Sequence, residues 1–215
     1  MKKNIRFSSF FAPLALMACL LLTACGEPAK RVQSIPKVLA DSYGQQDSVF
    51  IALGEKEGFQ VSERSEYWVA PYTYAERLIM DNAENGFYLG ATLYDKYVCH
   101  CGAGKEEPTD VAKTLKELTK NAINAGFVLP NDEKYRRIAS VNGNSCSTVQ
   151  EFFKALKEMT DDESESAKIV LYNEERGLEM DIIKRAKHDY SLSSGYQSDS
   201  EIVISLDSIA FYNRL

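Results

Sequence analysis

The residues best suited to chemistry form a short string, Cys99-His100-Cys101, with Cys146 further along the chain. If the strand reading of the residues before it continues, Cys99 and Cys101 share one face and His100 points the other way. Two thiols on one face could chelate a soft ion such as Cu(I). A closed zinc site needs four ligands, and Cys146, His100 and His188 would have to complete it. The other near-motifs fail on spacing. Gly102-Ala103-Gly104-Lys105 lacks the earlier glycine and the following Ser or Thr of a phosphate loop, and reads as a turn. Gly143-Asn144-Ser145-Cys146-Ser147 misses the last glycine of a hydrolase elbow. His188-Asp189 could orient an imidazole towards Ser145 or Cys146, but neighbours along a chain tend to point apart. Asp161-Asp162-Glu163-Ser164-Glu165 lacks calcium-loop spacing and reads as a solvated loop. No catalytic residue is assigned.

The N-terminus is more specific. Lys2, Lys3 and Arg6 precede an apolar run over residues 7–22, and Leu22-Thr23-Ala24-Cys25 follows. This tetrad resembles the lipobox of bacterial lipoproteins. The resemblance implies that residues 1–24 are a signal peptide and that Cys25 carries the lipid, with no other cofactor. Leu16-Met17-Ala18-Cys19 fits less well, because Met17 is bulky and cleavage there would leave residues 20–22 exposed. Two or three acyl chains make a durable anchor where one is marginal. Gly26, rather than Asp, after the lipidated cysteine implies the outer membrane, facing the periplasm. Residues 25–36 read as a tether, able to reach about 35 Å when extended. Residues 37–215 form a single domain.

Removing residues 1–24 leaves 191 residues, in which 22 bases face 31 acids, for a net charge of −9. So acidic a chain is unsuited to nucleic acid, whose phosphates require clustered Lys and Arg. It would suit a basic protein partner. Aromatic residues point the same way: twelve Tyr accompany a single Trp, and Tyr67, Trp68, Tyr72 and Tyr74 crowd one segment. Such side chains are favoured at interfaces, where the ring packs and the polar tip bonds. The plainer reading is a strand with ordinary cross-strand aromatics. In address, size and charge the chain is similar to lipoproteins that neutralise antibacterial effectors of the periplasm. That likeness implies a non-catalytic inhibitor, immunity or envelope-accessory protein. A metal- or thiol-handling protein using Cys99, Cys101 and Cys146 is the alternative. The oxidising periplasm implied by the lipobox favours a disulfide from Cys146 to Cys99 or Cys101. It would close about 45 residues and stabilise the fold by about 4 kcal/mol.

The elements that must position these residues follow from periodicity. A helix over 109–125, capped by Thr109, puts Val111, Leu115, Leu118 and Ala122 on one stripe. Another over 148–159 opens with capping boxes at Ser147/Gln150 and Thr148/Glu151 and buries Val149, Phe152, Phe153 and Leu156. A weaker helix covers 47–57. Gly58-Phe59 and Gly126-Phe127 read as matching joints, with glycine stopping a helix and Phe entering the core. Alternation marks a strand from Phe87 to Tyr94 after the turn Asn85-Gly86, and another over 168–172. The latter turns through 174–177 to Leu178, Met180 and Ile182, which the Ile182-Ile183 pair leaves open to a helical reading. Ile202, Ile204 and Leu206 alternate, and a bulge near Asp207-Ser208 would bring Ile209 and Phe211 into phase. The expectation is an α+β domain, its mostly antiparallel sheet covered on one face by two or three helices.

Cys25→Ala should release the protein from membranes or stall it as precursor. Fractionation in which the variant is still processed and sediments like wild type would disprove the anchor.

Overall fold

The computed structural model describes residues 34–70, 73–130, 139–160, 162–186 and 200–209. The lipobox, Tyr72, Asp161, His188-Asp189 and Phe211 lie outside them. Among the described residues are four helices and nine strands, forming one α+β domain as expected, with one helix more than foreseen. In chain order they are α1 (Ile35–Ser42), α2 (Asp47–Lys56), β1 (Gln60–Ala70), β2 (Thr73–Asp81), β3 (Phe87–Tyr94) and β4 (Tyr97–Lys105). Then come α3 (Val111–Asn124), β5 (Ala139–Val141), β6 (Asn144–Ser145), α4 (Val149–Leu156), β7 (Ala167–Asn173), β8 (Leu178–Lys184) and β9 (Ile202–Ser208).

All ladders are antiparallel, in the order β1-β2-β3-β4-β9-β8-β7-β5-β6. Strand alternation puts every second residue on one face, and register aligns those residues into rows. One row runs Met80, Leu89, Ala103, Ile204, Ile182, Ile169, Ala139. The next runs Leu78, Ala91, Cys101, Leu206, Met180, Leu171. Both rows share a single core with Leu39 of α1, Phe50 of α2, Leu115 and Leu118 of α3, and Phe152 of α4. The opposite face is not simply wet, since Val170, Tyr172, Asp181 and Val203 are buried too.

Helix α1 was not foreseen: only its first two residues, Ile35 and Pro36, fall in the expected tether, and the rest open the domain. Ile35 and Val38 are buried, and Pro36 lies in the first turn, where its missing N–H costs nothing. In α3 the cap is Asp110 rather than Thr109, its carboxylate accepting from Lys113 N–H at 2.9 Å. The stripe Val111, Leu115, Leu118 and Ala122 is buried as the period required. Thr148 caps α4 by accepting from Glu151 N–H, while Glu151 accepts from Ser147 N–H. Phe152 and Leu156 are buried there, with Val149 and Phe153 packed partly against the core.

Both glycine joints are present. Gly58 and Gly126 have φ of 87° and 90°, and the buried Phe59 and Phe127 bond back to the carbonyls of Gly54 and Ala122. Residues 178–184 are strand and not helix, with Leu178, Met180 and Ile182 buried. The expected bulge at Asp207-Ser208 is absent. Register with β8 runs unbroken to Ser208↔Leu178, and the apolar phase shifts because the strand ends there.

Gly102–Lys105 is strand rather than turn. Tyr88 faces Gly104 across the β3–β4 ladder and reaches Ser200 Oγ at 2.8 Å. A Cβ at Gly104 would collide with the Tyr88 hydroxyl and Ser200 Oγ, so glycine here makes room for an aromatic ring. Gly104→Ala should lower stability by about 1–3 kcal/mol in urea unfolding, the usual cost of overpacking. Adding Tyr88→Ala should recover part of that loss. An unchanged midpoint for Gly104→Ala would refute this packing.

Candidate partner-binding surface

The long β1–β2 hairpin runs past the rest of the sheet. Its ladder extends from Gln60↔Asp81 to Ala70↔Thr73, whereas β2 pairs with β3 only from Glu76 to Asp81. Among the described residues, 67–70 and 73–75 therefore form an arm with no third strand beside them. Every β1 residue from Gln60 to Trp68 is exposed. Their charges explain why alternation did not reveal the strand: neither face of β1 needs to be apolar.

Trp68 and Tyr74 are cross-strand partners on this arm, their ring centroids 3.8 Å apart at an interplanar angle of 42°. Both remain exposed, at 60% and 52%. Tyr67 is 40% exposed, and its hydroxyl lies 3.3 Å from Thr92 Oγ1. The segment is thus a strand pair with cross-strand aromatics, yet its rings face solvent and not the core.

The base of the arm is tied to the helical layer. Arg64 Nη2 lies 2.6 Å from both Asp47 of α2 and Glu76 of β2, and these carboxylates raise its guanidinium pKa. Asp47 N–H also donates to the carbonyl of Lys96, in the tight β3–β4 turn. Asp95 and Lys96 there adopt φ of 48° and 70°, the backbone a two-residue hairpin turn requires. Between arm and turn lies a cleft of about 470 Å³ lined by Glu66, Tyr74, Ala75, Glu76, Leu93, Asp95 and Lys96.

The cysteines do not converge. A register shift at Thr92/Leu93 inserts Cys99 as an extra residue and takes it out of phase with Cys101, contrary to the shared face expected. Cys101 is fully buried in the core, while Cys99 is half-buried with Sγ 3.2 Å from the Thr92 carbonyl. Cys146 N–H donates to Ala139 on β5, four ladders from β4. At about 4.8 Å per ladder that is about 19 Å, far beyond the roughly 7 Å limit for bridged Cα atoms. The expected disulfide is therefore not formed, and all three thiols are free. Nor can the three sulfurs hold one ion together. Among the described residues no group of three or more His, Cys, Asp or Glu is placed to hold a metal.

His100 faces away from the core and pairs through Nδ1 with Asp207 Oδ1 at 2.8 Å. Asp207 lies opposite Glu179, and Glu179 opposite Tyr172. Burial pushes the Glu179 carboxyl up, opposed by a hydrogen bond from Tyr172. The sequence hid this row because its members lie as far as 107 residues apart. The 162–165 loop meets a cation of the chain's own: the fully buried Lys184 donates to the carbonyls of Asp162 and Glu165.

No protein-family model matches the chain, nor does any curated protein or any solved structure.

Desolvation pushes the Cys99 thiol up to about 11 and the Cys101 thiol well above its ordinary value, and raises Cys146 as well. Since the thiolate is the nucleophile, none is activated at neutral pH. A disulfide-exchange reagent should modify Cys146 first, Cys99 slowly and Cys101 only on unfolding. The unreduced, unfolded chain should give one reactive thiol for each of the three. Fewer would restore a disulfide, and rapid native labelling of Cys101 would contradict its burial.

Proposed function

We propose that the mature chain is a lipid-anchored, non-catalytic protein of the bacterial cell envelope. On this reading Cys25 holds it to the membrane, most simply the outer membrane on its periplasmic side. The domain binds a protein partner through the β1–β2 arm, as an inhibitor, immunity or envelope-accessory protein would. The observation that carries the reading is the exposure of Trp68, Tyr74 and Tyr67 on a projecting hairpin. Large rings left in water at such a place gain most when a partner covers them.

Charge supports the same reading. A net charge of −9 after signal removal would speed encounter with a basic partner and make association weaken with salt. No helix among the described residues is long and apolar enough to cross a membrane.

Crosslinking in the envelope, followed by mass spectrometry, would identify the partner, and affinity would then be measured with purified proteins. Trp68→Ala and Tyr74→Ala should each weaken the complex at least about tenfold, the range of interface anchors, while leaving the melting temperature unchanged. Tyr67→Ala should cost less, because its hydroxyl already has Thr92. If all three variants keep full affinity for the identified partner, the arm is not the binding surface.

A further inference from the structure

Resting on the partner-binding reading, we propose that the cleft between the arm and the β3–β4 turn receives an arginine side chain of the partner. Glu66, Glu76 and Asp95 give it three carboxylates against the single Lys96. Glu76 is already engaged by Arg64, whereas Glu66 and Asp95 have no partner among the described residues. Tyr74 forms one wall and packs at a tilt against Trp68, whose indole N–H is likewise unbonded.

An exposed aromatic pair next to unpaired carboxylates matches a planar cation. A guanidinium lies flat on a ring and keeps its N–H edges for the two carboxylates, which a compact ammonium does less well. The frame is firm enough to hold such a group. Arg64 fixes the base of the arm to α2, and Asp47 N–H fixes the turn from the other side. The Asp95 and Glu66 side chains therefore stand on two different hairpins braced against one helix end. An acidic cluster on one mobile loop would lose more entropy on binding.

Trp68 is the chain's only tryptophan, so its emission reports directly on this place. The probes are a capped hexapeptide rich in arginine and its counterpart with every arginine replaced by citrulline, of the same shape without the charge. They are titrated at low salt into the full chain purified from the envelope. The arginine peptide should change Trp68 emission saturably, with half-saturation near about 1 mM or below. The citrulline peptide should bind at least tenfold more weakly. Glu66→Gln with Asp95→Asn should weaken arginine-peptide binding at least tenfold at an unchanged melting temperature. Equal response to the two peptides, no saturable response, or indifference to the paired carboxylate substitution would each overturn the proposal.

The same variants separate this proposal from the reading beneath it. If Trp68→Ala weakens the complex with the identified partner but the carboxylate pair does not, the arginine proposal falls and the arm stands. If neither the carboxylate pair nor any of the Trp68, Tyr74 and Tyr67 variants weakens it, both fall. Weakening of both peptide and partner by the carboxylate pair supports both.

Discussion

The pairing of β9 holds the architecture together. This strand is among the last described residues, yet it sits in the middle of the sheet, bonded to β4 on one side and β8 on the other. Without it the β1–β4 meander and the β5–β8 group would share no ladder, and the helices alone would join them. The two apolar rows would also break at Ile204 and Leu206, which link Ala103 to Ile182 and Cys101 to Met180. Ladders between residues about a hundred apart close slowly, because loop entropy is lost before the contacts repay it. Local hairpins and α3 can form earlier, but the common core is complete only when the end of the chain returns.

Distance from that keystone separates rigid parts from projecting ones. At β9 burial reaches both faces, as Ile204 on one and Val203 on the other show. Four strands away, β1 contributes little to the core, and its position depends instead on Arg64, Asp47 and Glu76. An ion-paired brace of this kind is weak as a source of stability, since its guanidinium is largely exposed. Its value is geometric: it sets the angle at which the arm leaves the sheet. The same α2 end that carries Asp47 also holds the β3–β4 turn, so arm and turn are located by one element.

Where burial imposed a period, the sequence was legible. The α3 stripe, the α4 cap, the strand from Phe87 and both Gly-Phe joints lie where periodicity and turn chemistry put them. Failures have distinct physical reasons. Helix α1 went unread, and its first two residues were assigned to the tether, because Pro36 and nearby charges hid a short buried stripe. Strand β1 was legible only at its aromatic end, because water lies on both faces of the rest. The turn reading of Gly102–Lys105 failed because the segment is a paired strand, in which Gly104 makes room for the Tyr88 ring and does not reverse the chain. The oxidising compartment implied by the lipobox invited a disulfide, but sheet order, which no local pattern encodes, keeps Cys146 far from the others. The aromatic crowding of Tyr67, Trp68 and Tyr74 was visible from residue types; their exposure was not, since it depends on β2 outrunning β3.

The edge formed by β1 bears on how the arm can act. An open edge strand offers unpaired backbone groups to any other strand, a hazard that proteins blunt with charge and bulges. Here Glu63, Arg64 and Glu66 lie along the edge, and the ladder is irregular at Val61/Glu63 and again at Trp68/Ala70. Those features disfavour an added strand along the body of β1. They leave the side chains at the arm's end as the available means of contact. An arm guarded against backbone pairing, yet carrying two rings packed together in water, is arranged for recognition by side chains. Selectivity then comes from what the rings and the neighbouring carboxylates can accept, and less from the length of strand on offer.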